Sequence, residues 1–413
     1  MSLSERELLL ELLSPEAVRS RCHEIFMIAE AKELIHFDLC LSNLDRATEL
    51  VLAEMRQNYP HGEVPFHSRW RHFEFGGRNL WIELFDSMTD VSQEERVRRR
   101  IDLAVVSVLV DAGAGSSWRY KDLPTGLSYG RSEGLALASL RLFQSGFLSK
   151  HGNDDPCRVD AERLVSIEPH ELAKFFQVHE KNVLLGVDSR VSLLNRLGTA
   201  ISEANNIFYR DGEVRPGNLF DYVVNVSAGG EVKARNILTA LLIGLGSMWP
   251  DGEWIGSVPI GDVGRHKGIV RNEITNGIVP FHKLSQWMTF SLIEPFQEAG
   301  VNVTDLDALT GLAEYRNGGL FIDAGVLQLK DLDVVNHAHD PKSTLIVEWR
   351  AMTVALLDQI AKMVRNHTGD DAISLPLASV LQGGTWAAGR SIAQQIRKDG
   401  VPPINILSKG TIF

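Results

Sequence analysis

The sequence predicts a mostly α protein with small β pieces, and three observations lead to that fold class. Apolar residues recur at helical spacings of three and four along most of the 413-residue chain. Several of these segments begin with a residue that caps helices well. Strand-like alternation is rare. Hydrophobic residues make up 44% of the chain, which supplies a sizeable core.

The helices follow in order from their local signals. Ser14 is a good N-cap and Pro15 suits the first helical position, so a helix should run to about Glu33. Asp45–Gln57 is a second helix, which ends before a turn at Pro60. The remaining predicted helices share an apolar face at helical spacing: Gln93–Val110, Glu133–Phe147, Glu168–Gln177, Ser189–Asn206, Gly217–Val224, Ala234–Met248, Lys283–Ala299, Thr344–Asn366 and Thr385–Lys398.

Three segments favour strands: Phe66–Phe75, Leu80–Phe85 and Ile404–Phe413. We find no internal repeat and no low-complexity segment. Polar, turn-rich seams at 151–156 and 211–217 are too short for convincing flexible linkers. We therefore expect one unit spanning 1–413, with two lobes of about 1–215 and 216–413.

Composition narrows the function classes. The formal charge of −11 argues against nucleic acid as the main partner, because phosphate backbones need a basic surface. A small phosphorylated ligand needs only a few local cations. The three cysteines are widely spaced and odd in number, which fits a reducing compartment and no disulfide framework. No membrane span or signal peptide is visible, so we expect a soluble, cytoplasmic protein.

A first candidate binding motif lies in Phe66–Phe75. If this segment is extended, side chains alternate, and His67, Arg69 and Arg71 face one way. Two guanidinium groups and an imidazole on one face would hold an anion. A surface strand paired with nearby acids explains the same residues equally well.

A second candidate opens the predicted helix Lys283–Ala299. Lys283 and Gln286 lie nearly one turn apart beside Trp287, which suggests a lined pocket for a polar ligand. An amphipathic helix with its lysine at the rim is the alternative.

The carboxylates near position 314 suggest glycosidic chemistry. Splitting a glycosidic bond builds an oxocarbenium-like centre, which a carboxylate beside the reacting carbon stabilises and a second acid complements by activating water. Glu314 precedes Tyr315, Arg316 and two glycines, a mixture that few structural needs explain; Asp305 and Asp323 are candidates for the second acid. Any one acid here is more often a helix cap.

A glycine-rich turn at 382–390 is the last candidate. Its backbone amides and Arg390 would cradle an anion, whereas a tight helix start explains the glycines as well. The thirteen histidines show no metal-ligand spacing, and His337 with His339 is a two-ligand fragment. We expect no metal and no cofactor.

Seven motifs spread along the chain carry a family resemblance: Phe66–Phe73, Asp111–Gly115, Gly130–Gly134, Pro280–Trp287, Glu314–Gly319, Val347–Arg350 and Gly383–Arg390. Through them the chain resembles, over essentially its full length, the uracil catabolism protein 4 family. The resemblance implies a place in a pathway that converts uracil to its ribonucleotide, opens the ring and dismantles a ribosyl-urea type of intermediate.

A weaker resemblance connects two motifs with the queuosine salvage nucleotide hydrolases. Phe281–Gln286 looks like their Phe-Tyr-Lys-Arg-Ala-Gln stretch, and Ala313–Leu320 looks like their Ala-Asp-Tyr-Arg-x-Pro-Gln-Val. The resemblance implies a DNA-glycosylase-like helical core and cleavage of the N-glycosidic bond of a nucleoside 5′-monophosphate. Carried over by position, Glu314 replaces their aspartate, and Lys283, Gln286, Tyr315 and Arg316 match directly.

The chain departs from that pattern at two places. Gly318 and Gly319 stand where those hydrolases have Pro-Gln, and the acid that follows their first motif falls near Ser291, with Glu294 the nearest carboxylate. These departures weaken the catalytic inference more than the fold inference.

The leading hypothesis is an N-ribosyl hydrolase of uracil catabolism that acts on a ring-opened nucleotide such as ribosyl-urea 5′-phosphate. Glu314 would be the principal acid, and Asp323 or Asp305 the second. The residues expected to bind substrate are His67, Arg69, Arg71, Lys283, Gln286, Trp287, Tyr315, Arg316 and Arg390. A non-catalytic scaffold that associates with other uracil catabolism enzymes is the alternative, and an amidohydrolase that acts on the urea moiety ranks last.

Overall fold

A computed structural model of the protein describes residues 2–115 and 117–407. Its α-helices are α1 (Leu3–Glu11), α2 (Pro15–Glu30), α3 (Leu44–Asn58), α4 (Leu80–Asp86), α5 (Gln93–Leu109), α6 (Arg131–Gln144), α7 (Ala161–Leu164), α8 (Pro169–Phe175), α9 (Val187–Glu203), α10 (Asn205–Phe208), α11 (Leu219–Val226), α12 (Ala234–Leu245), α13 (Lys283–Glu298), α14 (Tyr315–Asp323), α15 (Thr344–Thr368), α16 (Leu377–Val380) and α17 (Trp386–Ile396).

The strands are short and pair two by two. They are β1 (Phe37–Leu39), β2 (Glu74–Phe75), β3 (Arg78–Asn79), β4 (Tyr120–Lys121), β5 (Ser128–Tyr129), β6 (Tyr209–Arg210), β7 (Glu213–Val214), β8 (Glu231–Lys233), β9 (Glu253–Ile255), β10 (Val258–Gly261), β11 (Val263–Arg265), β12 (Ile278–Pro280), β13 (Asn302–Thr304), β14 (Leu327–Leu329), β15 (Ala338–His339) and β16 (Asn405–Ile406). The pairs β8–β13 and β15–β16 are parallel, and the other described pairs are antiparallel. The predicted fold class, mostly α with small β elements, is confirmed; the DNA-glycosylase-like arrangement stays a prediction.

The chain packs into two compact units that are interleaved along the sequence. The first unit collects residues 2–67, 253–286 and 305–407, and the second collects residues 68–252 and 287–304. The expected lobes of about 1–215 and 216–413 are contiguous pieces of chain and stay a prediction. Interleaving of this kind is set by contacts between distant segments, which local sequence patterns do not report.

Helix α15 is the central element of the first unit. Its residues from Leu345 to Leu357 are all buried, including the charged side chains of Glu348 and Arg350. Helices α2, α3 and α14 pack against it. A smaller apolar cluster joins the end of α1 to the hairpins β9–β10 and β11–β12, through Leu9, Ile260 and Ile278 among others.

The second unit is built on α5. The apolar half of this helix is buried, and α6, α9 and α11 pack against it. Asp102 is fully buried within α5, where it holds Arg215 and the backbone N–H groups of Val159 and Gly217. These bonds fasten three separate segments of the unit to one helix.

Two predicted strands are wrong. Leu80–Phe85 forms α4, because Leu80, Trp81 and Leu84 are buried together at helical spacing while Ile82 is exposed. In Phe66–Phe75 only Glu74 and Phe75 form a strand, and Arg69–Phe73 forms a 3-10 helix. Of the third predicted strand, Ile404–Phe413, β16 is present and residues 408–413 lie outside the described part of the chain.

Candidate functional site

Glu314 is the N-cap of α14 in the first unit. Its backbone is extended (φ −117°, ψ 162°), and its carboxylate accepts the backbone N–H of Arg316 at 2.8 Å and of Asn317 at 2.5 Å. Both donors belong to the first turn, where the N–H groups lack partners within the helix. The positive end of the helix dipole also favours a carboxylate there. The carboxylate is therefore held in one orientation by two rigid donors.

The acidity of the Glu314 carboxyl group is also altered. Burial among protein atoms raises the pKa of its carboxyl above the usual range, although the N–H groups of Arg316 and Asn317 and the charge of Lys283 oppose the shift. The residue nevertheless keeps part of its surface accessible. A carboxyl group that is crowded by protein yet open to solvent combines an altered acidity with access for a small molecule.

Lys283 lies close to this carboxyl group. Its positive charge lowers the pKa of both Glu314 and His67, so its ammonium lies within electrostatic reach of both. Lys283 is the first residue of α13, where the helix dipole disfavours a cation. The placement is compensated by Asp262, whose Oδ2 accepts the backbone N–H of Lys283 at 3.1 Å.

His67 is buried and neutral at physiological pH. Burial lowers the pKa of its imidazole to about 4, with the nearby charge of Lys283 acting in the same direction. Its Nδ1 lies 3.0 Å from Oε1 of Gln382, and Nε2 of that amide donates to the Tyr59 hydroxyl at 3.1 Å. Because the amide oxygen can only accept, Nδ1 of His67 carries the proton and Nε2 carries the lone pair.

Asp262, which is not among the predicted site residues, positions the start of α13. Arg350 donates to both of its oxygens, at 2.8 and 2.7 Å, while its guanidinium lies 4.0 Å from the centre of the Phe281 ring. Burial alone would raise the pKa of Asp262, but the charge and hydrogen bonds of Arg350 and the N–H of Lys283 hold the pKa below its usual range. No motif marks Asp262, because its role depends on a partner 88 residues away.

The motif Val347–Arg350 therefore has a structural role. Besides Arg350, Glu348 accepts the backbone N–H groups of Ile35 and His36 at 2.8 and 2.9 Å, and its Oε1 lies 3.2 Å from His266 Nε2. The carboxylate is fully buried and saturated by these groups.

The glycines of the two glycine motifs allow close helix packing. A Cβ on Gly389 would lie 2.1 Å from the carbonyl oxygen of Arg316, and one on Gly318 would lie 2.7 Å from Nε1 of Trp349. Thr385 adds a hydrogen bond of 2.9 Å to Oδ1 of Asn317. The 382–390 segment is a π-helical turn, Leu381–Thr385, that runs into α17. These contacts hold α14, and with it Glu314, in place.

Three other predicted site residues have contacts or positions of their own: Gln286, Asp323 and Asp305. Gln286 is fully buried; its Oε1 accepts the N–H of Thr310 at 2.8 Å and its Nε2 donates to the Thr310 hydroxyl at 2.6 Å. Asp323 forms a bidentate ion pair with Arg397. Asp305 is an exposed residue with left-handed backbone (φ 56°) at the start of a short 3-10 helix.

Tyr315, Arg316 and Arg390 retain access to solvent. The guanidinium of Arg316 lies 5.1 Å from the centre of the Tyr315 ring, and its Nη1 donates to the carbonyl of Gly400 at 2.6 Å. Arg390 lies 5.7 Å from the ring of Trp386. Of the predicted residues in the first unit, Glu314 and His67 thus both lie within electrostatic reach of Lys283.

Arg69, Arg71 and Trp287 belong to the second unit. Arg71 pairs with Glu294 at 2.6 Å and with Glu74 at 3.0 Å. Arg69 is fully buried and pairs with Asp111 at 2.9 Å. The strand face that would have aligned His67, Arg69 and Arg71 is absent, because the segment turns into a 3-10 helix at Arg69.

The chain matches one protein family and two known proteins over nearly its full length. A family model described as "Protein of unknown function (DUF1688)" matches residues 11–413. The chain belongs to this family. It is similar to "Protein urg3" of Schizosaccharomyces pombe, with 36% identity over 414 residues that cover 98% of this chain and 99% of that protein. It is also similar to "Uracil catabolism protein 4" of Lachancea kluyveri, with 35% identity over 434 residues that cover 97% and 98%. The resemblance to the uracil catabolism protein 4 family is confirmed.

Among the described residues, no three His, Cys, Asp or Glu side chains group closely enough to hold a metal ion. None of the described helices combines the length and the hydropathy that crossing a bilayer requires.

Proposed function

We propose that this protein acts in uracil catabolism and hydrolyses the N-ribosidic bond of a ring-opened uracil nucleotide such as ribosyl-urea 5′-phosphate. The name of the Lachancea kluyveri relative supports the pathway. In the reaction, water adds to the anomeric carbon of ribose while the C–N bond breaks. The products are ribose 5-phosphate and urea, and the urea nitrogen gains a proton as it leaves.

The observation that carries this proposal is the state of Glu314. A urea nitrogen is a poor leaving group unless it is protonated, so the reaction needs a carboxyl group that stays protonated long enough to act as an acid. The raised pKa of Glu314 supports that role, and its partial exposure supports access by substrate. The two backbone N–H groups stabilise the carboxylate that remains after the proton has been transferred.

Lys283 and His67 complement the acid. The ammonium of Lys283 attracts the 5′-phosphate, and a cation near the site lets a protein of net charge −11 bind an anionic substrate. His67 is a neutral imidazole within electrostatic reach of Lys283, and we assign it a positioning role toward the ribose. Asp323 is neutralised by Arg397 and Asp305 lies at an exposed turn, so the proposal depends on Glu314.

The surroundings of Glu314 and of the cysteines bear on the alternatives. A scaffold would need no placed acid, and an ion pair between Glu314 and Arg316 would favour it. Among the described residues these two side chains form no ion pair, and Arg316 donates to the carbonyl of Gly400. A cysteine amidohydrolase needs an activated thiol. Burial instead raises the pKa of Cys157 to about 11 and raises that of Cys22 as well.

The test is an assay of purified protein with ribosyl-urea 5′-phosphate, in which urea and ribose 5-phosphate are both quantified. We expect equal amounts of the two products, and no turnover of unphosphorylated ribosyl-urea at matched concentration. A thermal-stability scan against ribose 5-phosphate, uridine 5′-monophosphate and uracil gives an independent readout, because ligands that bind the folded state raise its stability. The proposal would be rejected if no product formed and no phosphorylated sugar raised the midpoint of thermal unfolding.

A further inference from the structure

Arg69 and Asp111 form a buried ion pair in the second unit. Arg69 begins the 3-10 helix Arg69–Phe73, and Asp111 comes two residues after the end of α5. Their side chains are 0% and 6% exposed, and Nη1 of Arg69 lies 2.9 Å from Oδ2 of Asp111. A charge pair that is removed from water is costly unless the remaining donors and acceptors of both partners are satisfied.

That condition is only partly met. Arg69 donates through Nε to the hydroxyl of Ser107 at 2.7 Å, and its backbone N–H donates to the hydroxyl of Ser291 at 2.9 Å. Both Nη1 and Nη2 of Arg69 and the Oδ1 of Asp111 are buried without a hydrogen-bond partner, and Nη1 meets Oδ2 only as the ion-pair contact given above. Among the described residues, this Oδ1 is the one carboxylate oxygen in such a state. Two donor nitrogens and one acceptor oxygen of the same ion pair thus lack a hydrogen bond, and Nη2 and Oδ1 are the two idle atoms that also lack an ion-pair contact.

A second buried ion pair in the same unit, Arg215–Asp102, shows the hydrogen bonding of a pair that is purely structural. Asp102 accepts Gly217 N–H on Oδ1 at 2.7 Å, and its Oδ2 accepts Val159 N–H and Nε of Arg215. Nη1 of Arg215 donates to Glu95 at 2.7 Å. Each nitrogen of that guanidinium and each oxygen of that carboxylate has a partner. The Arg69–Asp111 pair departs from this pattern.

We propose that the Arg69–Asp111 pair binds an amide or ureide group. A group of this class presents a carbonyl oxygen beside an N–H. The carbonyl oxygen accepts from Nη2 of Arg69, and the N–H donates to Oδ1 of Asp111, which satisfies both idle atoms at once. A phosphate or a carboxylate offers acceptors alone and would meet the carboxylate of Asp111 with like charge.

The surroundings of the pair favour a planar, preorganised site. The guanidinium of Arg69 lies 5.9 Å from the ring centres of both Phe73 and Trp287, so two aromatic rings stand beside this guanidinium. Arg190 donates to the carbonyls of Val110 and Ala112, at 2.8 and 2.7 Å, which fixes the backbone on both sides of Asp111. The inference does not depend on the proposed function, because it concerns binding and uses residues of the second unit alone.

Equilibrium dialysis of the full-length protein with radiolabelled uracil and radiolabelled urea tests the inference. Uracil offers the carbonyl and N–H in a planar ring, and urea offers them alone. Unlabelled tetramethylurea is the chemical control, since it keeps the carbonyl and has no N–H. Arg69→Lys keeps the positive charge and removes the planar guanidinium with its paired N–H donors. The double variant Arg69→Met/Asp111→Leu replaces the pair by apolar groups and keeps the fold testable if Arg69→Lys is unstable. Arg215→Lys is the matched control at the fully bonded pair.

We expect saturable binding of at least one probe, competed by excess unlabelled probe and not by tetramethylurea. Affinity should fall at least tenfold in Arg69→Lys and be lost in the double variant, while Arg215→Lys retains it. Glu314→Gln should also retain it, which separates this binding from turnover. Absence of saturable binding, or unchanged affinity in both Arg69 variants, would overturn the inference.

Discussion

Replacing Glu314 separates its role as a helix cap from the catalytic role that we propose for it. In Glu314→Gln the side chain keeps one oxygen acceptor, and its NH2 group faces a backbone N–H, so one of the hydrogen bonds to Arg316 and Asn317 is lost. Loss of an N-cap interaction costs about 1 kcal/mol. In a chain of this length that loss lowers the midpoint of thermal unfolding by only a few degrees.

Turnover should respond far more strongly than stability. Removing a general acid lowers the rate by about 10²- to 10⁴-fold, which a cap defect cannot produce. Glu314→Asp provides the matched comparison, because aspartate is a preferred N-cap and should keep or raise the unfolding temperature. It withdraws the carboxyl by one methylene, and misplacement on that scale costs about 10²-fold in rate.

The assay is urea release from ribosyl-urea 5′-phosphate at saturating substrate, paired with thermal unfolding of each variant. Our reasoning predicts that both variants lose turnover while only Glu314→Gln loses stability. If Glu314→Asp kept wild-type turnover, or if Glu314→Gln lost no more activity than its unfolding explains, Glu314 would be a structural cap alone.

Three further changes have defined outcomes. In the folded protein His67 stays neutral down to about pH 4, whereas in the unfolded chain it gains a proton below about pH 6.5. Unfolding therefore takes up a proton in this range, and the free energy of unfolding falls by about 3 kcal/mol as the pH is lowered from 6.5 to 4. Denaturant titrations at several pH values should show that His67→Gln lacks this pH-dependent loss. Gly389→Ala forces a methyl group against a backbone carbonyl and should cost about 1–3 kcal/mol, whereas Gly113→Ala, which meets open space, should change the midpoint of denaturation little. Arg350→Met leaves the largely buried Asp262 carboxylate without its ion-pair partner and should cost about 3 kcal/mol by the same measurement, with recovery when Asp262→Leu is added.

Long helices with local signals were predictable from the sequence. For α2, Ser14 caps the helix by accepting the N–H of Ala17 at 3.2 Å, as Ser-Pro at a helix start indicates. Helix α14 was not predicted, because nine residues with two central glycines give weak periodicity and low propensity. Its stability comes from packing against α15 and α17, which are distant in sequence.

The candidate site was predictable in composition and less so in arrangement. Lys283 and Glu314 stand in motifs with an unusual chemical mixture, which marked them from sequence alone. The strand assigned to Phe66–Phe75 failed because Arg69 and Trp70 are bonded to Ser291, whose position no local pattern reveals. Asp262 escaped notice for the same reason, since only the fold shows that it joins Arg350 to the start of α13.

The interleaving of the two units has a consequence for how the chain is made. Residues 2–67 pack with residues 305–407, so the earliest part of the first unit leaves the ribosome long before the segment that covers it has been translated. Until then its apolar surfaces need transient protection, and contacts of such long sequence separation fold slowly. A break in the gene near codon 215 would leave both fragments with an incomplete interior, so we expect neither half to be soluble by itself, whereas co-expressed halves should recover each other.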